Sequence, residues 1–379
     1  MHVDELPTPC AVVDLEVLKR NVRTMADRLK ALGVTLRPHV KTHKCLEIAA
    51  LQREAGARGF TVSTLGEAVD LAEAGFTDLT WAFPLILNRL PEVRRIAERA
   101  TLRLLVDSPE AIDALESAVL PPGPPGGAAG VECHVWLEVD SGHHRSGVDP
   151  GSAVAVELAR RLHDAERLVF DGILTHGGHS YRGKNREELL AAAREERRVM
   201  ADFAKLLMSL GVEVRGVSVG STPTMSVVED LDGVTEARPG NYVFHDGMMC
   251  SMGACSTADV ALTVLSSVVS SQPGAEHSVI DAGALSLSKD PGLDWVEPAS
   301  FGRVYRDDGS GEIEPDFWVE ALSQEHGIVN RSLPVGSRLR ILPNHSCLVG
   351  PNFDAFQVVE GERVVDRWSI RGLGRSGGR

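Results

Sequence analysis

LVFDGILTHGGHSYRGKNREELLAAAREERRVMADFAKLLMSLGVEVRGVSVG, residues 168–220, decides the fold. It opens on an apolar run rich in β-branched residues (168–176) and continues into an amphipathic stretch of Ala, Leu, Glu and Arg. It then returns to a second apolar run, VRGVSVG (214–220). This is the rhythm of a repeated βα unit. Working outward, the same alternation predicts strands at CAVVD (10–14), VTLRPHV (34–40), GFTVS (59–63), DLTWAF (78–83), LRLLVD (102–107) and VECHVWLEVD (131–140). Eight such units between residues 8 and 250 predict a (β/α)₈ TIM-type barrel. An open dinucleotide-binding sheet would carry a GxGxxG turn, and the sequence has none.

Beyond residue 255 the pattern changes. Residues 258–270, 277–288, 301–306, 316–329, 337–342 and 355–370 read as strands separated by Gly, Pro or Asp turns, with no long helix between them. A C-terminal all-β domain is therefore predicted over 255–379, which residues 1–7 are free to join. PPGPPGGAAG (121–130) reads as a surface loop. The 379 residues are 43% hydrophobic and 24% charged, and 39 Lys and Arg against 53 Asp and Glu leave a formal charge of −14. That balance makes nucleic acid an unexpected partner, because binding phosphates needs clustered cations. No apolar run reaches the roughly 18 residues of a membrane helix, and MHVDELPTPC lacks the features of a secretory signal, so a cytoplasmic location is expected. The six cysteines are too sparse for a disulfide framework and read as small buried hydrophobes.

In a barrel, reactive groups sit at the C-terminal ends of strands. RPHVKTHK (37–44) places Lys41 there; with Arg37 and Lys44 close by, its ammonium pKa would fall, although the same fragment also reads as a solvated lysine opening the next helix. VDSGHHRSGV (139–148) delivers Arg145 from a Gly turn to a ligand anion. LTHGGHSY (174–181) sets His176 at a strand end with Tyr181 beyond, its paired glycines admitting a flat ligand. VGSTPT (219–224), with Ser221 and Thr222, suits a phosphate, as does RPGNY (238–242), with Arg238, Gly240, Asn241 and Tyr242. In PNHSC (343–347), His345 and Cys347 would share one face of an extended segment and grip a soft or borderline cation. Each fragment alone has an ordinary structural explanation.

Together these motifs resemble the alanine racemase-like, fold-type III pyridoxal phosphate enzymes, in the branch that holds D-serine dehydratases, 3-hydroxy-D-aspartate dehydratases and D-threonine aldolases. The resemblance runs through TPCAVVD, RPHVKTHK, THGGHSY, GSTPT, RPGNYVFHD, EHG (325–327) and PNHSC. It implies that Lys41 carries pyridoxal 5'-phosphate and removes the Cα proton. His176 would stack on the pyridine ring, Arg145 would lie near the phenolic oxygen, and Ser221, Thr222, Gly240 and Asn241 would hold the phosphate. Tyr242 would also line the cofactor site. Arg238 or Tyr181 would serve the ring nitrogen. The resemblance implies a divalent metal on His345 and Cys347, Zn²⁺ or Mn²⁺, with the His-x-Cys pair matching the dehydratases, whereas the aldolases carry His-x-Asp. It implies a homodimer acting on a small D-3-hydroxy amino acid to give a 2-oxo acid and ammonia. The alternatives are an aldolase yielding glycine and an aldehyde, an amino acid racemase, and a non-catalytic cofactor carrier.

Overall fold

The computed structural model describes residues 1–118, 133–307 and 311–371; the loop expected at 121–130 lies outside them. Eight parallel strands make the barrel: β2 (Thr35–Leu36), β3 (Phe60–Val62), β4 (Asp78–Pro84), β5 (Thr101–Val106), β6 (Cys133–Glu138), β7 (Leu168–Leu174), β8 (Gly216–Val219) and β9 (Glu236–Ala237). Their order is β2-β9-β8-β7-β6-β5-β4-β3. A parallel bridge between His39 and Thr61 joins the two ends, with Thr61 N–H donating to the Pro38 carbonyl at 2.9 Å.

Two strands differ from expectation. CAVVD forms β1 (Cys10–Asp14), which lies outside the barrel, antiparallel to β10 (Leu262–Ser270) and parallel to β16 (Ala355–Glu360). Val12 and Cys10 face a small cluster with Val3, Leu6, Leu265 and Val359, whereas Ala11 and Val13 join the barrel's core. An apolar run covered on both faces reads alike in either setting. The barrel's eighth strand is β9, a two-residue segment whose Glu236 offers no apolar signal.

The second sheet continues with β11 (Ser278–Ile280), β12 (Arg303–Tyr305), β13 (Ile313–Leu322), β14 (Gly327–Val329), β15 (Arg338–Leu342) and β17 (Arg363–Ser369). Its order is β11-β14-β13-β12-β15-β10-β1-β16-β17, and β11 pairs with β10 as well, so six strands close on themselves while β1, β16 and β17 extend outward. Residues 284–287, expected as strand, form a short helix. The first residues run beside β17: His2 bridges Arg363, and Val3 N–H donates to Glu362 O at 2.8 Å. Asp14 ends β1 and caps helix α1 (Leu15–Ala31), its Oδ1 accepting from Val17 N at 3.0 Å. Leu18, Val22, Met25 and Leu29 of α1 bury a stripe against the barrel, and Phe244 meets Phe356 of the sheet at 5.2 Å. One core therefore spans both halves. Among the described residues, no helix is long and apolar enough to cross a membrane.

The barrel strands are also cross-linked by charge. Buried Arg37 pairs with Glu236 of β9 and, at 2.7 Å, with Asp78 of β4. Asp78 also meets Arg103 of β5, whose Nε lies 2.9 Å from Asp171 of β7, and Asp171 lies 2.9 Å from His134 of β6. Removing one member of a buried pair leaves its partners uncompensated, which costs about 3–5 kcal/mol. Arg37→Met is expected to lower stability by that amount in urea denaturation, and an unchanged midpoint would show that Glu236 and Asp78 find other partners.

Candidate active site

The ends of the barrel strands enclose a cavity of about 350 Å³. Lys41 reaches it from a tight turn (Val40–Thr42) that follows β2. The cations expected to depress its pKa are committed elsewhere: Arg37 to Glu236 and Asp78, and Lys44 to Glu67 at 2.9 Å. Gly240 lies across from this turn. A Cβ there would come within 2.9 Å of the His39 carbonyl, so the close approach of the two segments requires glycine.

His176, Arg145, Tyr181, Ser221, Thr222, Arg238 and Asn241 line the same cavity. Burial, and then the charges of Lys41, Arg145 and Arg238, hold His176 well below the usual imidazole range, so its ring is neutral. The paired glycines after it do not make room for a ligand. A Cβ on Gly177 would sit 2.7 Å from Glu196, and one on Gly178 would sit 2.5 Å from the His143 ring, which meets His176 edge-on at 5.9 Å.

Ser221 caps helix α3 (Thr222–Val227) through a reciprocal pair with Thr224 and exchanges a hydrogen bond with Ser180 Oγ at 3.0 Å. Thr222 Oγ1 accepts from Tyr242 N at 3.0 Å. Tyr242, expected in the cofactor site, points elsewhere: its buried hydroxyl accepts from Gln52 Nε2 at 3.0 Å and it does not line the cavity, which it reaches only through its N–H bond to Thr222. Asn241 is engaged too: its amide donates to Asp246 Oδ2 at 2.6 Å and its oxygen accepts from Ser346 Oγ at 2.9 Å. Arg238, completely enclosed, donates to Ser218 Oγ and the Thr175 carbonyl; burial brings its pKa down to about 10 against the opposing pull of Glu236, Glu196 and Glu138.

His345 and Cys347 meet, but not on a strand. His345 is the N-cap of helix α5 (Ser346–Val349) and has extended backbone, with Cys347 the second residue of its first turn. The helix packs on the Lys41 turn, so that Cys347 Sγ lies 3.1 Å from Thr42 Oγ1 and lines the cavity. Asp290 Oδ2 engages His345 Nδ1 at 3.0 Å, leaving Nε2 for the Cys347 side. This carboxylate–imidazole arrangement fixes the ring of a metal-ligating histidine. Burial opposes protonation of His345, but Asp290 and Cys347 outweigh it and push its pKa up to about 11. Burial likewise disfavours the Cys347 thiolate, yet His345 and Lys41 hold the thiol below its ordinary value. The arrangement is an imidazolium–thiolate pair, which becomes a donor set suited to Zn²⁺ once the ring gives up its proton. Among the described residues no group of three or more His, Cys, Asp or Glu is arranged to hold a metal; a metal held by this pair alone would keep coordination positions open to water or substrate.

Residues 13–246 match the family described as alanine racemase, N-terminal domain, and residues 261–359 the putative serine dehydratase domain. The chain belongs to the alanine racemase-like, fold-type III pyridoxal phosphate enzymes. It is 40% identical over 376 residues to D-threo-3-hydroxyaspartate dehydratase of Delftia sp. (strain HT23), covering 96% of this chain and 97% of that one. It is 33% identical to D-serine dehydratase of Dictyostelium discoideum, covering 96% of each. It also resembles a solved metal-free form of a cysteine-to-alanine variant of D-threo-3-hydroxyaspartate dehydratase, with TM-score 0.89, 38% identity and coverage of 98% and 99%.

Several residues that build this family site carry no motif. Glu196, fully buried on helix α2 (Arg186–Ser209), accepts the N–H groups of Gly177 at 3.0 Å and Gly220 at 3.1 Å, tying the His176 turn to the hydroxyl-rich turn. Glu138 closes β6 with Oε1 accepting from Ser146 at 2.8 Å, while its buried Oε2 has no partner among the described residues. Asp246 joins Asn241 to Ser346 N, the latter at 2.9 Å. An acidic residue inside an apolar run, VWLEVD, could have pointed to Glu138, whereas Glu196 lies among Arg and Glu neighbours in AREERR and gives no such signal. Glu196→Ala strands two buried N–H groups at about 1–3 kcal/mol each. It is expected to weaken pyridoxal phosphate retention, measured by cofactor titration; retention equal to the parent protein would remove Glu196 from the support of the site.

Proposed function

We propose that the chain is a pyridoxal phosphate- and metal-dependent dehydratase of D-3-hydroxy amino acids such as D-serine or 3-hydroxy-D-aspartate, releasing a 2-oxo acid and ammonia. The observation that carries this reading is the seating of Cys347 against Thr42, so that it lines one cavity with Lys41, with His345 engaging Cys347 from the side held by Asp290. Pyridoxal phosphate, when bound, supplies an electron sink for the Cα carbanion. The divalent metal, for which the donor set favours Zn²⁺, supplies a Lewis acid for the β-hydroxyl.

The protein's own groups divide the remaining work. Lys41 takes the Cα proton from the side of the cavity where Cys347 also lies. Neutral His176 presents a flat ring to the cofactor, and Ser221, Thr222 and the main chain of Gly240 and Asn241 hold its phosphate. Arg238, a donor with no acceptor, disfavours a proton on the pyridine nitrogen. Burial, together with the charges of Cys347 and Asp246, raises the Tyr181 pKa, so its phenol keeps its proton and can donate to the departing hydroxyl. The Tyr181 ring stands 6.5 Å from that of His345, on the metal side, which leaves the nitrogen to Arg238. A homodimer is supported by Phe83, Ile86 and Leu87, exposed at 46%, 39% and 45% beside the cavity rim.

Borohydride reduction followed by peptide mapping is expected to fix the cofactor on Lys41; a label on another lysine would overturn the assignment. Chelation or Cys347→Ala is expected to lower ammonia release from D-serine by on the order of 10²–10³, because a Lewis acid is worth several kcal/mol. Exchange of the α proton, which needs Lys41 and the cofactor, persists. Full-rate dehydration after chelation would refute the metal's role, and glycine with an aldehyde from D-threonine or 3-hydroxy-D-aspartate would identify an aldolase instead.

A further inference from the structure

Three of the six cysteines behave as expected for small core residues: Cys10, Cys45 and Cys133 are buried, and burial pushes each thiol upward. Cys347 belongs to the site. Cys250 and Cys255 do neither. Both are partly exposed, and their Sγ atoms lie 3.6 Å apart.

Local backbone structure creates this approach. Cys250 sits in helix α4 (Gly247–Ser251), which ends at Met252. Gly253 follows with φ +74°, its N–H donating to the Cys250 carbonyl at 3.0 Å, and Ala254 N–H donates to the Met249 carbonyl at 3.0 Å. These two crossed bonds and the left-handed glycine make a Schellman turn, which reverses the chain and returns Cys255 over the helix. A disulfide has sulfurs about 2.05 Å apart, so the pair needs to close by roughly 1.5 Å.

We propose that Cys250 and Cys255 form a redox-active dithiol, a modification site that closes to a disulfide by exchange with a small-molecule disulfide such as oxidised glutathione. The Cys250 thiolate attacks one sulfur of the oxidant, breaking its S–S bond and expelling a thiolate. Cys255 gives up its proton and attacks the Cys250 sulfur of the mixed disulfide, expelling the second thiolate. Two protein thiols lose two electrons and two protons, and the oxidant becomes two thiols. The hydrogen bond with Cys250, and then burial, push the Cys255 thiol upward.

The position of the pair gives the modification a route to the active site. The first turn of α4 holds the segment that carries His345: Gly247 N–H donates to Pro343 O at 2.9 Å, Met248 N–H to Asn344 O at 3.0 Å, and the helix cap Asp246 accepts from Ser346 N. Met249, Met252 and Cys255 also pack in the small apolar cluster that backs Tyr181. A disulfide would thus staple one end of a helix whose other end supports the metal-binding loop.

The purified holoprotein should be incubated with oxidised glutathione, unfolded in alkylating agent and mapped by mass spectrometry. Of its six thiols, four should remain alkylatable, with the Cys250–Cys255 peptide lighter by two hydrogens and free of glutathione. C255S should instead stop at a single glutathione adduct on Cys250, and C250S should leave Cys255 unmodified. Amide hydrogen exchange at Gly253 and Ala254 should slow in the oxidised protein and recover on reduction. Six alkylatable thiols after treatment, or adducts on Cys347 with Cys250 and Cys255 intact, would overturn the proposal. So would a C255S protein whose Cys250 takes no adduct.

Discussion

Charge that is buried has to be matched, and much of this barrel is arranged around matching it. Glu236, on a strand of two residues, receives Arg37 directly and accepts from Ser218 Oγ at 2.6 Å, which in turn accepts from Arg238. Arg37 supports strand pairing low in the barrel, and Arg238 reaches the cavity above. One carboxylate therefore connects the electrostatics of the scaffold to those of the site. The low dielectric that makes each lone charge costly also gives the satisfied network its rigidity. Neutral His176 follows from the same surroundings, because burial, and then the charges of Lys41, Arg145 and Arg238, oppose a proton on its ring.

The two halves of the molecule meet through a similar economy of connections. Asp246 lies at the end of the barrel's sequence and caps α4, yet both of its oxygens are used: Oδ1 by Met249 N, Oδ2 by Asn241 and by Ser346 of the second sheet's loop. Ser346 Oγ returns to Asn241. This closed set of hydrogen bonds registers the His345–Cys347 loop against the Gly240–Asn241 turn, while Thr42 registers it against Lys41. The residues proposed to hold the metal and the cofactor are thereby kept in a fixed relation, with Asp246, Ser346 and Thr42 as the connecting groups.

The alternation of apolar runs and amphipathic stretches was enough to expose a barrel followed by a sheet, since both periodicities are long and repeated. It misassigned CAVVD because Val12 and Val13 are buried on opposite faces whichever sheet receives them, and it passed over Glu236–Ala237 because a strand held by ion pairs has no hydrophobic signature. The site was legible where function concentrates in contiguous motifs: Lys41, His176, Ser221, Thr222, Arg238 and Cys347 all line the cavity. Glu196, Glu138 and Asp290 were not, because an isolated carboxylate acquires its meaning only from backbone N–H groups or rings contributed by distant segments. The His345–Cys347 spacing was informative, but the geometry inferred from it was not; a helix cap brings the two side chains together where strand alternation had been expected.

The placement of β1 imposes an order on synthesis. It is made first, yet its neighbours are β10, starting at Leu262, and β16, starting at Ala355. At about 5–20 residues per second, the ribosome takes on the order of 10–50 s to deliver even the nearer one. Throughout that interval Ala11, Val12 and Val13 form an apolar edge with no strand beside it, while the barrel can assemble from local βα contacts. Because Phe356 and Val358 of β16 also belong to the core that holds Ala11 and Val13, both the second sheet and that shared core are complete only after β16 has been made.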